Sequence, residues 1–175
     1  RMQALIDALL TYSRVTTKAQ PLTSVDLNVV TAEVLSDLEV TVERLQARVT
    51  VGALPTVAAD AMQMRQLLQN LLGNALKFHR PDVAPEVIIA GRCDGEGWCE
   101  ISVADNGIGF DMQYAERIFQ VFQRLHGRSE YEGTGVGLAI CRKIVERHGG
   151  SIRAESTRNG GARFIVRLPA NTPQA

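Results

Sequence analysis

Residues 61–79 carry a helical pattern with two stripes. Hydrophobic side chains at three- and four-residue spacing predict an apolar stripe made of Met64, Leu67, Leu71, Ala75 and Phe78. At about 100° per residue, a polar stripe falls on the neighbouring arc and contains Gln63, Gln66, Asn70, Asn74 and Lys77. Asparagine is a poor residue for a helix interior, because its amide competes for nearby backbone groups. The helix, for which Asp60 is the candidate N-cap, is therefore either half solvated along this stripe or borders a polar pocket.

Three further segments show helical periodicity. The first, residues 1–17, places apolar side chains at the a and d positions of a heptad and predicts a helix that packs against partner helices. The second begins after Asp26, a candidate N-cap, and extends to about Ala47. The third is predicted from about Gly137 to His148, where two glycines end it.

Strands are predicted between and after these helices. Short strand-like segments occur within residues 48–60, and longer ones at 87–93, 98–105, 151–156 and 162–168. The turn "DGEG" joins the first two of the longer strands in a hairpin. Period-two alternation places Asp105 at the end of the row of side chains that faces the core.

The composition is that of a globular domain. Hydrophobic residues make up 45% of the 175 positions, which is enough for one sizeable core. The formal net charge is zero and the pI is about 7.0, so no general attraction to nucleic acid or to an anionic membrane is indicated. No apolar run approaches the roughly 20 residues of a membrane span, and no signal peptide opens the chain. We expect a cytoplasmic chain whose parent protein could be anchored to a membrane elsewhere.

Three cysteines, Cys93, Cys99 and Cys141, form an odd set without CxxC spacing. This pattern favours buried free thiols in a reducing compartment over a disulfide framework or a zinc site. We therefore expect all three to be inert core residues.

The domain organisation follows from one break in the pattern. "KAQPLTS" interrupts the helical periodicity with a proline, as a hinge between modules would. We divide the chain into a helical segment at 1–19, a main domain at 20–170 and a tail at 171–175. Because position 1 is an arginine and not a methionine, we expect a piece of a longer protein.

Two glycine-rich segments are candidates for phosphate binding. "DNGIGF" at 105–110 follows a strand, and "GTGVGLAI" at 133–140 opens a helix. Glycines at such places let backbone amides approach phosphate, and a helix N-terminus favours an anion. Each segment alone is equally compatible with a simple glycine turn. The second lacks the glycine spacing of a dinucleotide fingerprint, and no GxxxxGK[ST] P-loop occurs.

Four motifs in sequence order, "NLLGNALKF", "DNGIGF", "IFQVFQRLH" and "GTGVGLAI", resemble the N, G1, F and G2 boxes of sensor histidine kinases. The resemblance covers about residues 24–169. "RMQALIDALLTYSRV" resembles the second helix of the dimerisation and phosphoacceptor hairpin that precedes the catalytic domain in this family. The resemblance implies the Bergerat fold of gyrase, Hsp90 and MutL-type ATPases. That fold is an α/β (α+β) two-layer sandwich whose mixed, mainly antiparallel sheet is covered on one face by helices.

The resemblance implies ATP and Mg²⁺ as cofactors and assigns roles along the polar stripe. Asn74 would give its side-chain oxygen to Mg²⁺, with Asn70 close to the triphosphate. Lys77 and Arg124 would neutralise the phosphates during transfer, so that Asn70, Lys77 and Arg124 form the implied catalytic set. The nucleotide would also contact the glycine boxes through Gly107, Gly109, Thr134, Gly135, Gly137 and Leu138.

Asp105 would accept a hydrogen bond from the exocyclic amine of adenine. Guanine presents a carbonyl at that place, so the assignment implies selection of ATP over GTP. The alternative for Asp105 is a strand-ending residue in a turn. Phe119 and Phe122 would hold one end of a lid, roughly residues 112–132, over the nucleotide.

The implied reaction is transfer of the γ-phosphate to a histidine. In ATPase members of the superfamily a glutamate one turn before the metal asparagine activates water, and Asn70 occupies that place here, which favours transfer to a side chain. None of the three histidines, His79, His126 and His148, has the acidic neighbour of a family phosphoacceptor. The acceptor is therefore expected upstream of Arg1.

The implied partners are the protein's own dimerisation hairpin, a cognate response regulator and a second copy of the full-length protein in a homodimer. No contact with nucleic acid or with a membrane is expected for this chain. Two other functions compete: a degenerate kinase that only binds nucleotide, and a clamp-type ATPase. Intact Asp105 and Asn74 argue against the first, and Asn70 argues against the second.

Overall fold

The computed structural model describes residues 2–125, 131 and 133–170 of the chain. Within them the helices are α1 (Met2–Thr17), α2 (Leu27–Asp37), α3 (Glu39–Leu45), α4 (Ala61–Lys77) and α5 (Gly137–Arg147). The strands are β1 (Thr23–Asp26), β2 (Arg48–Val51), β3 (Thr56–Ala59), β4 (Glu86–Cys93), β5 (Trp98–Asp105), β6 (Ser151–Ser156) and β7 (Ala162–Pro169).

The main sheet has five strands in the order β2-β4-β5-β7-β6. The β2-β4 pair is parallel and the other pairs are antiparallel, while β1 and β3 form a separate antiparallel pair. Helices α4 and α5 pack on one face of the main sheet. In β4, Val87 and Ile89 are buried on that face, whereas Ile88 is 54% exposed on the other. The predicted fold class, a mixed and mainly antiparallel sheet covered on one face, is confirmed.

The second predicted helix is divided in two, which corrects the expectation of one helix to about Ala47. Asp26 caps α2 as predicted, by accepting a hydrogen bond from the Asn28 backbone N–H. Leu38 then leaves the helical conformation, with φ −95° and ψ 4°, and separates α2 from α3. Serine and aspartate precede Leu38, and both side chains compete with the backbone for hydrogen bonds.

The cysteine expectation is wrong for two of the three residues. Cys93 and Cys99 form a disulfide, and the antiparallel register of β4 and β5 places them directly opposite each other. The four-residue turn between the strands determines this pairing. The absence of CxxC spacing gives no information about a pairing across a hairpin. Cys141 is a buried free thiol as expected, and burial raises its pKa to about 12.

Helix α1 forms as predicted and packs against α5. Val15 is its buried residue, and the Lys143 ammonium lies 4.2 Å from the centre of the Tyr12 ring. Most of its apolar stripe is nevertheless open to solvent, as shown by Met2 at 77% and Leu9 at 41% exposure. None of the helices in the described part of the chain combines the length and apolar character that a membrane span requires.

His148 connects the end of α5 to the start of α4. The ring is 7% exposed, and its Nδ1 lies 2.7 Å from the Ile144 carbonyl oxygen. The Asp60 backbone N–H donates to Nε2 over 3.0 Å, so Nε2 must be the unprotonated nitrogen and Nδ1 the donor. Burial lowers the pKa of His148 and favours this neutral form.

We expect acidification to destabilise the fold through His148. Its folded-state pKa lies below the ordinary 6.5, so its contribution is complete above pH 6.5 and is lost as the pH falls through the folded-state pKa. The Asp60 carboxylate opposes this effect and the Arg147 guanidinium adds to it. Urea unfolding between about pH 8 and pH 5 should show a smaller loss of unfolding free energy in His148→Gln than in the wild type. Equal losses would contradict this assignment.

Candidate functional site

A cavity of about 300 Å³ lies between α4, the end of β5 and the start of α5. It collects residues that the sequence motifs place far apart along the chain. The predicted site residues that line it are Asn70, Asn74, Lys77, Asp105, Gly109, Arg124, Thr134, Gly135, Gly137 and Leu138. Of the predicted set, Gly107 does not line the cavity.

The polar stripe of α4 has two different surroundings. Asn70, Asn74 and Lys77 border the cavity. Gln63, near the other end of the helix, is buried and contacts Arg147 and the backbone of α1. The stripe therefore borders a polar pocket only along its C-terminal half.

Asn70 connects α4 to the beginning of α5. Its Nδ2 donates to the carbonyl oxygen of Gly137, the first residue of α5, over 3.4 Å. The N-cap residue Val136 provides no side-chain hydrogen bond to the first turn of α5. The N–H groups of this turn thus lie beside the cavity without a side-chain cap, and a helix N-terminus in this state favours an anion.

Two cations meet beside Gly133 at the edge of the cavity. A Cβ added to Gly133 would lie 2.7 Å from the Lys77 Nζ atom, which shows how close the ammonium is. One terminal nitrogen of Arg124 donates to the Gly133 carbonyl oxygen over 2.7 Å, and the other donates to the Tyr131 carbonyl oxygen. Arg124 therefore holds the backbone where the second glycine box begins and adds positive charge to this side of the cavity.

Asp105 lies at the end of β5 as predicted and lines the cavity. Its Oδ1 accepts from the backbone N–H of Gly107 over 2.8 Å and from that of Ala162 over 3.2 Å. Partial burial raises the pKa of Asp105, and these two hydrogen bonds oppose the rise. Among the described residues no group donates to Oδ2, so this oxygen is available to a ligand.

Sequence reasoning did not assign the apolar side of the cavity. Its lining includes Phe78, Ile108, Phe110, Ile118, Leu125, Tyr131, Ala162 and Phe164. Phe78 and Ile108 lie within two of the quoted motifs, so their position in the sequence could have identified them. Ala162 and Phe164 belong to β7 and reach the cavity through antiparallel pairing with β5, for which the sequence carries no local signal.

The predicted lid is only partly described. Phe119 is buried as expected, and its ring packs edge-to-face on Phe164 with centroids 6.2 Å apart. Phe122 is 52% exposed, so the expectation that its ring holds the lid is wrong. Its backbone N–H donates instead to the Gly135 carbonyl oxygen over 2.8 Å. Residues 126–130, with His126, and 132 lie outside the described residues.

Gly107 has a steric role next to the cavity. A Cβ at this position would lie 2.2 Å from the carbonyl oxygen of Phe78, the residue that follows α4. The next residue, Ile108, donates its backbone N–H to the same oxygen over 2.9 Å. Glycine at 107 thus lets the loop after β5 cross the end of α4 in direct backbone contact.

Nearly the whole chain is similar to known proteins. Residues 59–172 match the family described as histidine kinase-, DNA gyrase B-, and HSP90-like ATPases. The phytochrome-like protein Cph1 of Synechocystis sp. is 45% identical over 168 residues, which cover 96% of this chain and 22% of Cph1. The chain therefore spans about a fifth of the length of this relative.

Solved structures show the same fold. Full-length ShkA in complex with AMPPNP matches with a TM-score of 0.82 and 27% identity, over 99% of this chain and 37% of ShkA. Histidine kinase ThkA in complex with the response regulator protein TrrA matches with a TM-score of 0.76 and 26% identity, over 98% of this chain and 48% of ThkA.

We expect Gly107→Ala to destabilise the protein by about 1–3 kcal/mol, because the added methyl group collides with backbone that cannot move independently. Gly73→Ala is the matched control: position 73 lies inside α4 with nothing within 4 Å of the added Cβ. The control should gain about 0.5–1 kcal/mol, because alanine loses less conformational entropy in a helix. Urea unfolding measures both, and equal effects of the two substitutions would refute the steric role.

Proposed function

The chain belongs to the family of histidine kinase-, DNA gyrase B-, and HSP90-like ATPases, and on this premise we propose that it is the ATP-binding catalytic part of a sensor histidine kinase. It would transfer the γ-phosphate of ATP to a histidine on the dimerisation hairpin, for relay to a response regulator. One observation carries the proposal: a single cavity joins an acidic acceptor at one strand end to two asparagines and two cations. ShkA in complex with AMPPNP and ThkA in complex with TrrA support the nucleotide and the relay partner.

Asp105 would recognise adenine. Oδ1 is held by the Gly107 and Ala162 backbone N–H groups, which fixes the carboxylate and leaves Oδ2 to accept from the exocyclic amine. Apolar side chains such as Ile108 and Phe164 would enclose the ring. A guanine carbonyl in the same place would face a carboxylate and leave both acceptors without a donor.

The phosphates would lie at the opposite side of the cavity. Lys77, Arg124 and the N-terminus of α5 supply positive charge there. In a partly enclosed site these groups stabilise charge on a transferring phosphoryl group without reorganising. Asn70, linked to Gly137, keeps the first turn of α5 in position beside them.

The side chains at the cavity fit Mg²⁺ carried by the nucleotide. No three His, Cys, Asp or Glu side chains among the described residues are grouped to hold a metal ion. Mg²⁺ does not need such a group, because it retains waters and phosphate oxygens and takes only one or two protein ligands. Asn74 lines the cavity and would supply one neutral amide oxygen. Bound Mg²⁺ would neutralise phosphate charge.

Helix α1 would belong to the dimerisation hairpin. We propose a segment at 1–19 and a catalytic domain at 20–170, because β1 starts at Thr23 and is paired with β3 inside the main domain. The exposed apolar stripe of α1 fits a helix that packs against the other hairpin helix and a second copy in a homodimer.

We expect Asp105→Asn to weaken ATP binding by about 2 kcal/mol or more, roughly thirtyfold, because a charged acceptor of a partly buried hydrogen bond is lost. Asp94→Asn is the matched control, since Asp94 lies in the turn at the opposite end of β5 and not at the cavity. Calorimetric titration with MgATP and MgGTP measures both variants. Unchanged ATP affinity in Asp105→Asn would disprove the adenine assignment.

Phosphoryl transfer should require a supplied acceptor. With radiolabelled ATP and a separate polypeptide containing the two-helix hairpin of the parent protein, we expect acid-labile, base-stable label on the hairpin. The chain alone should remain unlabelled, because none of its histidines lies in an acceptor motif. Label on the chain would show that one of these histidines accepts phosphate. A folded, dimeric hairpin that stays unlabelled despite ATP binding would favour the nucleotide-binding-only function.

A further inference from the structure

A second group of polar side chains, three of them buried and one partly exposed, lies outside the cavity, where α1 meets the main domain. It consists of Asp60, Gln63, Arg147 and His148, which we call the junction cluster. Asp60 is 2% exposed, and Gln63 and His148 are each 7% exposed. The Arg147 guanidinium lies 3.3 Å from the Asp60 carboxylate. The nucleotide site proposed above uses none of these side chains.

The junction cluster binds both backbone groups of one linker residue, Gln20. The Gln20 N–H donates to Asp60 Oδ2 over 2.8 Å, and Arg147 donates to the Gln20 carbonyl oxygen over 2.7 Å. Gln20 belongs to the irregular segment 18–22 between α1 and β1. Both backbone groups of Gln20 are therefore hydrogen-bonded to side chains of the main domain, as they would be to the backbone of a neighbouring strand.

The cluster also completes the end of α1. The last carbonyl groups of a helix have no partner within the helix. Gln63 Nε2 donates to the Val15 carbonyl oxygen over 2.7 Å, and the Gln63 side-chain oxygen accepts from Arg147 over 2.9 Å. Gln63, on α4, is therefore a C-terminal capping residue for a different helix.

The docking of α1 combines little fully buried apolar surface with several hydrogen bonds to its backbone. Val15 is the fully buried side chain of the helix. Lys143 of α5 adds one more bond to a backbone carbonyl, that of Tyr12, over 2.9 Å. Contacts between domains that are rich in hydrogen bonds and poor in apolar burial allow relative motion. The position of α1 accordingly depends on a few identifiable side chains.

We propose that Asp60, Gln63 and Arg147 of the junction cluster form a latch that fixes α1 and the linker in one position on the main domain. The latch can open without unfolding that domain, because the contact of the His148 ring with the Asp60 backbone is not part of it. The cluster lies near the start of α4 and the cavity near its end. Gln63 and Asn70, the cavity residue nearest to it on α4, are separated by about 10 Å along the helix axis. The latch can therefore change state while the cavity keeps its shape. If the proposed function holds, the latch sets where the hairpin lies relative to the γ-phosphate.

Hydrogen exchange of the whole chain, followed by mass spectrometry, tests the latch. Arg147→Gln removes the contacts to Gln20, Gln63 and Asp60 that the guanidinium makes. Asp60→Asn keeps an oxygen to cap α4, but the amide nitrogen that replaces Oδ2 cannot accept from the Gln20 N–H. In both variants the amides of residues 12–22 should exchange about tenfold faster, while α4 and the main sheet stay protected.

Arg65→Gln is the matched control. Arg65 is also an ion-paired arginine, bound to Glu33 and Asp37 on α2, and it contacts neither α1 nor the linker. Its variant should leave the exchange of residues 12–22 unchanged. Wild-type protection of these residues in both latch variants would overturn the proposal, as would an equal acceleration in the control.

Gln20→Pro covers the case in which the latch variants unfold. It removes the Gln20 N–H without changing a side chain of α4, α5 or the main sheet. It should accelerate exchange in residues 12–17, and no acceleration would overturn the latch. MgATP affinity, measured in parallel, should not change in the latch variants. Absence of ATP binding in the wild type would refute the proposed function but not the latch, because exchange is read without nucleotide.

Discussion

The pairing of α4 with α5 is the constraint on which the site depends. The two helices run antiparallel and are connected at both ends. The His148 ring accepts from the backbone of Asp60 at one end, and Asn70 donates to Gly137 at the other. These contacts fix both the register and the separation of the helices. Because one helix carries the amides and the other offers its N-terminus, this single pairing brings the two halves of an anion site together.

The cavity is electrically asymmetric although the chain as a whole is neutral. A carboxylate, Asp105, lines the cavity at the end of β5, while Lys77 and Arg124 line it beside Gly133. Such an arrangement distinguishes the two ends of an elongated ligand, because a base with a donor group and a polyanion prefer opposite ends. The net charge of the chain therefore says little about a cavity that is lined by both acidic and basic side chains.

Local patterns predicted the parts of the structure that depend on neighbours in sequence. The caps at Asp26 and Asp60, the stripe of α4 and the position of Asp105 follow from spacing alone. Features that depend on the register between strands were not predicted. They include the Cys93–Cys99 disulfide and the hydrogen bond from the Ala162 backbone N–H to Asp105. A sequence motif also does not show whether a residue makes its contact through its side chain or through its backbone. Phe122 occupies the expected place but contributes its N–H and not its side chain.

Helix α4 makes two unrelated sets of contacts, with the linker through Gln63 and with the cavity through Asn70 and Asn74. Inserting or deleting one residue between them would rotate one set by about 100° and shift it by about 1.5 Å relative to the other. No repacking of side chains can restore both. The number of residues in this helix is therefore much less free to vary than their identities.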